Sequence, residues 1–205
     1  MLLYLYNTIF DSKIMQTIFN RDQSLHLASE DITYKEKGLF HIIPFTLLRH
    51  TDSVDFHSIP YLDHVNAMER VIHQDWAKSP GKVWNVAEGW YMHAHQEDNL
   101  ITISGVRTVE LYHPFFSKWK IERFEISKDY IKHNGKIICD WPWILGWPTW
   151  VYHRNSSPHA SSSLNLWIRF DWFDVDTEFN IYDIDIEKWE IEMIRKWSLD
   201  QPAAL

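Results

Sequence analysis

A chain of 205 residues with 45% hydrophobic and 23% charged residues has the composition of one folded domain, which excludes long disordered or fibrous tracts. The formal net charge of −8, with no run of Lys or Arg longer than a pair, argues against a nucleic-acid partner, and no apolar run approaches the ~20 residues of a membrane-spanning helix. Cys139 is the single cysteine, so an internal disulfide and a thiolate metal cluster are both excluded, and a reducing cytoplasm is the expected location.

The first 19 residues, MLLYLYNTIFDSKIMQTIF, are apolar but lack a basic leader and a small-residue cleavage site, so a secretory signal is not expected. Residues 12–19 suit a short helix, and EDITYKEKGLF reads as a turn entering a strand. From Phe40 onward short apolar or alternating runs are cut by Gly, Pro, Asn and Asp. Strands are expected at 42–48, 67–73, 82–86, 90–95, 99–104, 107–112, 121–126, 149–153 and 164–172, the rhythm of an all-β sandwich or barrel spanning about 40–183 of a single domain. Asn134 and Gly135 between two apolar stretches signal a tight hairpin turn. In SLNLWIRFDW, Leu164, Leu166, Ile168, Phe170 and Trp172 share one parity, whereas Asn165, Arg169 and Asp171 share the other; one face is core and the other polar or cavity-lining. At the end of the chain Ile186, Trp189, Met193, Ile194 and Trp197 recur mostly at three- and four-residue steps, which predicts an amphipathic C-terminal helix over 184–198. Such a helix, together with the sheet edges, would suit a homodimer.

The stretch GWYMHAHQEDNLITISG carries His93 and His95 two apart. On a strand, side chains at i and i+2 leave the same face, close enough to share a metal ion. With 12 His in 205 residues, chance alone supplies about 0.7 such spacings, so the context decides. The pair is followed by a strand, Gly105, a second alternating strand VRTVELY and, 48 residues past that glycine, His153 in PTWVYH.

In these residues the chain resembles the cupin superfamily. The first motif of that family runs glycine, five residues, HxH, three or four residues, glutamate, six residues, glycine. Its second runs glycine, five residues, PxG, two residues, histidine, three residues, asparagine. His93 and His95 match HxH, Asp98 stands in the place of the glutamate with six residues between it and Gly105, and Pro148 and His153 match the second motif. The departures are a spacing of three residues from Gly89 to His93, two residues from His95 to Asp98, Trp150 for the second glycine and Ser157 for the asparagine. Glu97 is an equal candidate for the carboxylate.

The resemblance implies a double-stranded β-helix, the jelly-roll barrel. It also implies one divalent transition metal (Fe, Mn, Ni or Zn) held by His93, His95 and His153 with Glu97 or Asp98, and an enzyme with dioxygenase, isomerase or lyase chemistry on a small-molecule substrate. Tyr91, Trp150 and Tyr152 neighbour those positions; about half of such strand residues would face the cavity. Arg107, Asn165 and Arg169 are candidate anchors for an anionic or hydroxylated substrate. Two alternatives remain open: a non-catalytic cupin that binds a sugar-like ligand, and a metal-free sugar-nucleotide epimerase with His93 or His95 as base and Tyr91 or Tyr152 as acid. The 12 Trp would either fill the core or wall the ligand cavity.

Overall fold

The computed structural model describes residues 34–59, 62, 64–140 and 143–196. The helix expected at 12–19 lies outside them. Seventeen strands, all antiparallel, make up nearly all the regular structure of the described residues. One sheet runs in the order β1 (Tyr34–Glu36), β2 (Phe40–Pro44), β13 (Trp143–Trp147), β8 (Gln96–Ser104), β15 (Ser161–Arg169) and β5 (Ala67–His73). The facing sheet runs β12 (Lys136–Cys139), β11 (Ile131–His133), β10 (Glu122–Ser127), β9 (Val106–Tyr112), β14 (Tyr152–Ser157), β7 (Trp90–Met92), β16 (Ile181–Asp185) and β17 (Glu190–Arg195), with β6 (Ala77–Ser79) paired to β14. A separate hairpin joins β3 (Thr46–His50) to β4 (Asp55–Ser58). This is the expected all-β jelly roll, in which sequence-distant strands β8, β13 and β15 become neighbours.

One half of the space between the sheets is packed solid. Ile42, Leu100, Val109, Leu111, Phe124, Ile126 and Leu145 are fully buried there, beside Phe40, Ile131 and Trp147. Burial of so much apolar surface is the main driving force for closing one sheet on the other. Successive strand residues point to opposite faces, so Ile43, Ile144 and Leu166 pack on the outer side of the first sheet, under Phe45, Ile59 and Leu62. The apolar parity of β15 thus serves this outer layer, and its polar parity faces the barrel interior.

One turn and one close approach follow from glycine chemistry. Asn134 and Gly135 both adopt positive φ (48° and 82°) and close the β11–β12 hairpin as expected. Gly146 lies where His41 and Asn99 cross, hydrogen-bonded at 2.9 Å; a Cβ there would sit 2.0 Å from His41 Nε2.

Two expectations are corrected. Residues 82–86 make only an isolated bridge, Val83 with Val86. In place of the helix expected at 184–198, the described residues form the hairpin β16–β17, in register Ile184↔Ile191 and Asp185↔Glu190. Its first strand adds to β7 through Ile181↔Tyr91 and Tyr182↔Trp90, so an open sheet edge outcompetes local helical periodicity. Asp185 caps the connecting turn by accepting from the Lys188 backbone N–H at 3.0 Å, and Trp189 stacks on Trp119 with ring centres 4.1 Å apart. The described helix, α1, is the four-residue Val175–Glu178, capped by the Asp174 side chain. No described helix is long and apolar enough to cross a membrane.

Candidate active site

A cavity of about 560 Å³ occupies the other half of the barrel. The strand register stacks its lining in rungs. Asp98 of β8 lies opposite Trp167 of β15 and Trp147 of β13, and His153 of β14 projects from the facing sheet. One rung further in, Asn165 lies beside Glu69, and Asn155 follows His153 at the same parity. Beyond that rung lie Val71 and His73 of β5, on successive rungs, and Arg107 of β9.

At the first rung three buried groups converge. His93 Nε2 lies 3.2 Å and His153 Nε2 3.7 Å from the same oxygen, Asp98 Oδ2. Both imidazoles are held from behind by backbone carbonyls: His93 Nδ1 donates to Glu178 O, and His153 Nδ1 to Val151 O at 3.2 Å. With Nδ1 committed as donor, each Nε2 is left to face the cavity as a base or ligand atom. The other Asp98 oxygen accepts from Gln96 Nε2 at 3.2 Å, and Gln96 in turn accepts from Arg169 Nε at 3.2 Å. Trp147 and Phe179 wall the cluster, with ring centres 5.1 Å from His153 and 4.8 Å from His93.

Burial works against charge on His93, but the adjacent Asp98 carboxylate and the Glu178 carbonyl outweigh it and raise the imidazole above its ordinary range. Asp98 is the other half of that pair: burial pushes it up, and His93 more than reverses the shift. His153 is pushed down to about 4, by burial first and then by the positive charge of His93, so it is neutral at pH 7. The cluster therefore sets a His93–Asp98 pair, in which each partner favours the charged form of the other, beside a neutral imidazole.

The structure distributes the sequence candidates unequally. His93, Asp98 and His153 come together, each offering a ligand atom within 4.8 Å of the others. His95 does not join them. The chain bends at Ala94 and His95 between β7 and β8, which breaks the strand parity, and His95 turns to Glu178 instead. Glu97 is buried on the opposite parity of β8 from Asp98 and lies off the cavity lining. Tyr91, Arg107, Asn165 and Arg169 line the cavity, the Tyr91 ring 6.1 Å from that of His153. Tyr152 faces the other side of its sheet, against Tyr112 and Tyr182, and burial pushes its phenol up. Trp150 sits in the turn before β14 at φ 68°, where its backbone N–H donates to His93 O at 2.8 Å; its side chain is off the cavity.

Residues that local pattern could not flag complete the site. Glu178, fully buried at the end of α1, accepts from the His95 backbone N–H at 2.9 Å and pairs with His95 Nδ1 at 2.6 Å, while its own carbonyl holds His93. It lies 83 residues from His95 in a stretch, FDVDTEFN, that carries no motif. Glu69 projects into the cavity from β5, and burial together with the charge of Asp98 raises its carboxyl. Asn155 and Trp147 likewise reach the cavity only through strand pairing, and Phe179 reaches it from the C-terminal end of α1.

No family model matches the chain, and no curated protein matches it in sequence. Solved structures do match in fold. A dTDP-4-dehydrorhamnose 3,5-epimerase from Elizabethkingia anophelis superimposes with a TM-score of 0.50 at 10% identity, over 72% of this chain and 79% of that one. A sugar 3,4-ketoisomerase from Thermoanaerobacterium thermosaccharolyticum, solved in complex with TDP, gives 0.48 at 13% identity over 68% and 85%. A TDP-fucose-3,4-ketoisomerase from Campylobacter jejuni gives 0.47 at 10% identity over 73% and 92%. The chain thus shares its jelly-roll barrel fold with the Elizabethkingia epimerase.

Proposed function

We propose that this chain is an epimerase-like or isomerase-like enzyme that moves a proton at a carbon next to a carbonyl group in a small sugar, free or nucleotide-linked. The observation that carries this reading is the buried His93–Asp98–His153 cluster on the wall of the cavity. The neutral His153 Nε2 accepts the C–H proton, and the electron pair passes to the carbonyl oxygen as an enolate. Tyr91, on the adjacent strand, returns a proton either to the opposite face of the same carbon or to its neighbour, giving an epimer or an isomer. The His93–Asp98 pair lies beside the base, with Asp98 Oδ2 3.7 Å from His153 Nε2, and helps to hold it in place. The barrel shared with an epimerase of a 4-dehydro sugar supports the substrate class.

A second reading is favoured by the ligand spacing: the same three side chains hold a divalent metal ion. Nε2···Oδ2 separations of 3.2 and 3.7 Å are near the roughly 3.0–3.4 Å between ligand atoms bound at about 2.1 Å to one ion, and backbone carbonyls fix both Nδ1 atoms as metal-ligating histidines require. Two imidazoles and one carboxylate suit Fe(II), Mn(II), Ni(II) or Zn(II). When bound, such an ion would supply Lewis acidity toward a substrate carbonyl. His93, Asp98 and His153 would hold it, and Tyr91 and the aromatic walls would orient the substrate.

Two measurements test these readings together. Tag-free protein is incubated in D2O with 4-keto sugars, nucleotide-linked and free, and C–H exchange is followed by NMR. Exchange in the wild type that drops at least 100-fold in His153→Ala supports proton transfer; equal exchange in both overturns it. Elemental analysis beside His93→Ala/His153→Ala decides the metal: one equivalent lost in the variant supports the second reading, and no metal after reconstitution with each of the four ions overturns it.

A further inference from the structure

The inner end of the cavity holds a buried cation without an ion pair among the described residues. Arg107 of β9 is 1% exposed, yet no carboxylate among the described residues lies within ion-pair distance of it. Its Nε donates to Ser161 Oγ at 3.3 Å and its Nη2 to Val71 O at 3.2 Å, which leaves Nη1 without a partner among the described residues. Both bonds cross from one sheet to the other, so the guanidinium is fixed at the closed end of the barrel. Ser161 is itself held by Ser157 Oγ at 2.8 Å, and Ser157 by His73 Nδ1 at 3.0 Å, so this end is a rigid polar network without negative charge. Burial lowers the guanidinium to about 10, and Glu69 is the one group whose charge works the other way. A guanidinium taken out of water costs several kcal/mol unless an anion compensates it.

One rung nearer the cluster, two amides face the same cavity. Asn155 of β14 and Asn165 of β15 both line it, and the Oδ1 of each is buried with no hydrogen-bond partner. Neither side chain makes a hydrogen bond to another residue of the described protein. An amide oxygen only accepts, so these two call for donors such as sugar hydroxyls, while the Nδ2 groups and the free Nη1 of Arg107 can donate to an oxyanion.

We propose that Arg107, Asn155 and Asn165 form a binding site for a terminal oxyanion, a carboxylate or a phosphate monoester, at the closed end of the cavity. This rests on the sugar-directed reading above and deepens it by naming the substrate class: a sugar acid or a sugar phosphate that enters with its anionic end first. Strand geometry sets the reach. Residues two apart on a strand are about 7 Å apart, so an oxyanion at the rung of Asn155 and Asn165, or just beyond it, places a carbon four to six bonds away at His153. That is the span from one end of a hexose to the other.

Binding is tested without turnover, by calorimetry and thermal shift with inorganic phosphate, glucuronate and uncharged glucose as probes. The wild type is expected to bind phosphate or glucuronate at least tenfold more tightly than glucose; the tighter of the two identifies the class. Arg107→Gln and Asn165→Asp, the second placing a negative charge at the site, are each expected to weaken that binding at least tenfold. Wild type that prefers neither oxyanion over glucose overturns the proposal, as does unchanged oxyanion binding in the variants. If Arg107→Gln does not fold, Asn165→Asp decides alone. Failure of the D2O exchange experiment with intact oxyanion binding would sink the enzymatic reading and leave this site standing; the reverse pattern would sink the site alone.

Discussion

Glu178 is the residue whose removal tests the architecture of the cluster most directly. Its carboxylate is fully buried and holds two donors, the His95 backbone N–H at 2.9 Å and His95 Nδ1 at 2.6 Å, and these bonds tie α1 to the bend that aims His93 at Asp98. Glu178→Ala removes both bonds and leaves the His95 N–H facing a void. Each lost bond to a charged acceptor is worth about 1.5–3 kcal/mol. The His95 side chain is 26% exposed and water can recover part of its share, so about 2–4 kcal/mol is expected in total. For a domain of this size 1 kcal/mol shifts Tm by about 2–4 °C, so Tm falls by roughly 5–15 °C. Glu178→Gln keeps the shape and one acceptor and is expected to lose less than half as much. The assay is thermal and urea unfolding of wild type and both variants, with His93 and His153 ring resonances followed by NMR. A loss of stability without movement of the His93 resonances would refute the positioning role, and Glu178→Ala within 1 °C of wild type would refute the energetic reasoning altogether.

Three further outcomes follow from other parts of the barrel. Gly146→Ala drives a Cβ to within 2.0 Å of His41 Nε2, so overpacking should cost about 1–3 kcal/mol in chemical denaturation, partly rescued by His41→Ala. His73 is pushed down to about 4, first by burial and then by the charge of Arg107, against an ordinary value near 6.5. Between those two values the unfolded chain binds a proton that the folded one does not; stability from this group is therefore complete above pH 6.5 and lost as pH falls toward 4. About 2–3 kcal/mol should disappear over that window and be recovered on returning to pH 7, and His73→Gln should flatten this part of the urea-midpoint profile. Trp189→Ala removes the stack on Trp119 and should cost about 0.5–1.5 kcal/mol, with amide exchange accelerating first in β16 and β17; unchanged exchange there would show that the stack is incidental.

Much of the barrel was legible in the order of residues, because the strand period and the turn chemistry are local. The alternation in SLNLWIRFDW separates an apolar face from the one that carries Asn165 and Arg169, and Asn134–Gly135 names a turn that positive φ demands. The composition excluded an internal disulfide and thiolate clusters, and motif spacing put His93, His95 and His153, with Glu97 or Asp98, forward as ligands before any coordinates. Three things needed the tertiary structure, each for a physical reason. The C-terminal segment became a hairpin because the edge of β7 offered pairing that an isolated helix could not match. His95 left the cluster because a bend, which residue spacing does not encode, turned it to a carboxylate 83 positions away. The cavity itself, with Arg107, Asn155 and Asn165 on its inner rungs, arises from the registers of β9, β14 and β15. Side-chain direction is set one residue at a time along a strand, but convergence is set by which strands lie beside one another, and only the closed barrel decides that.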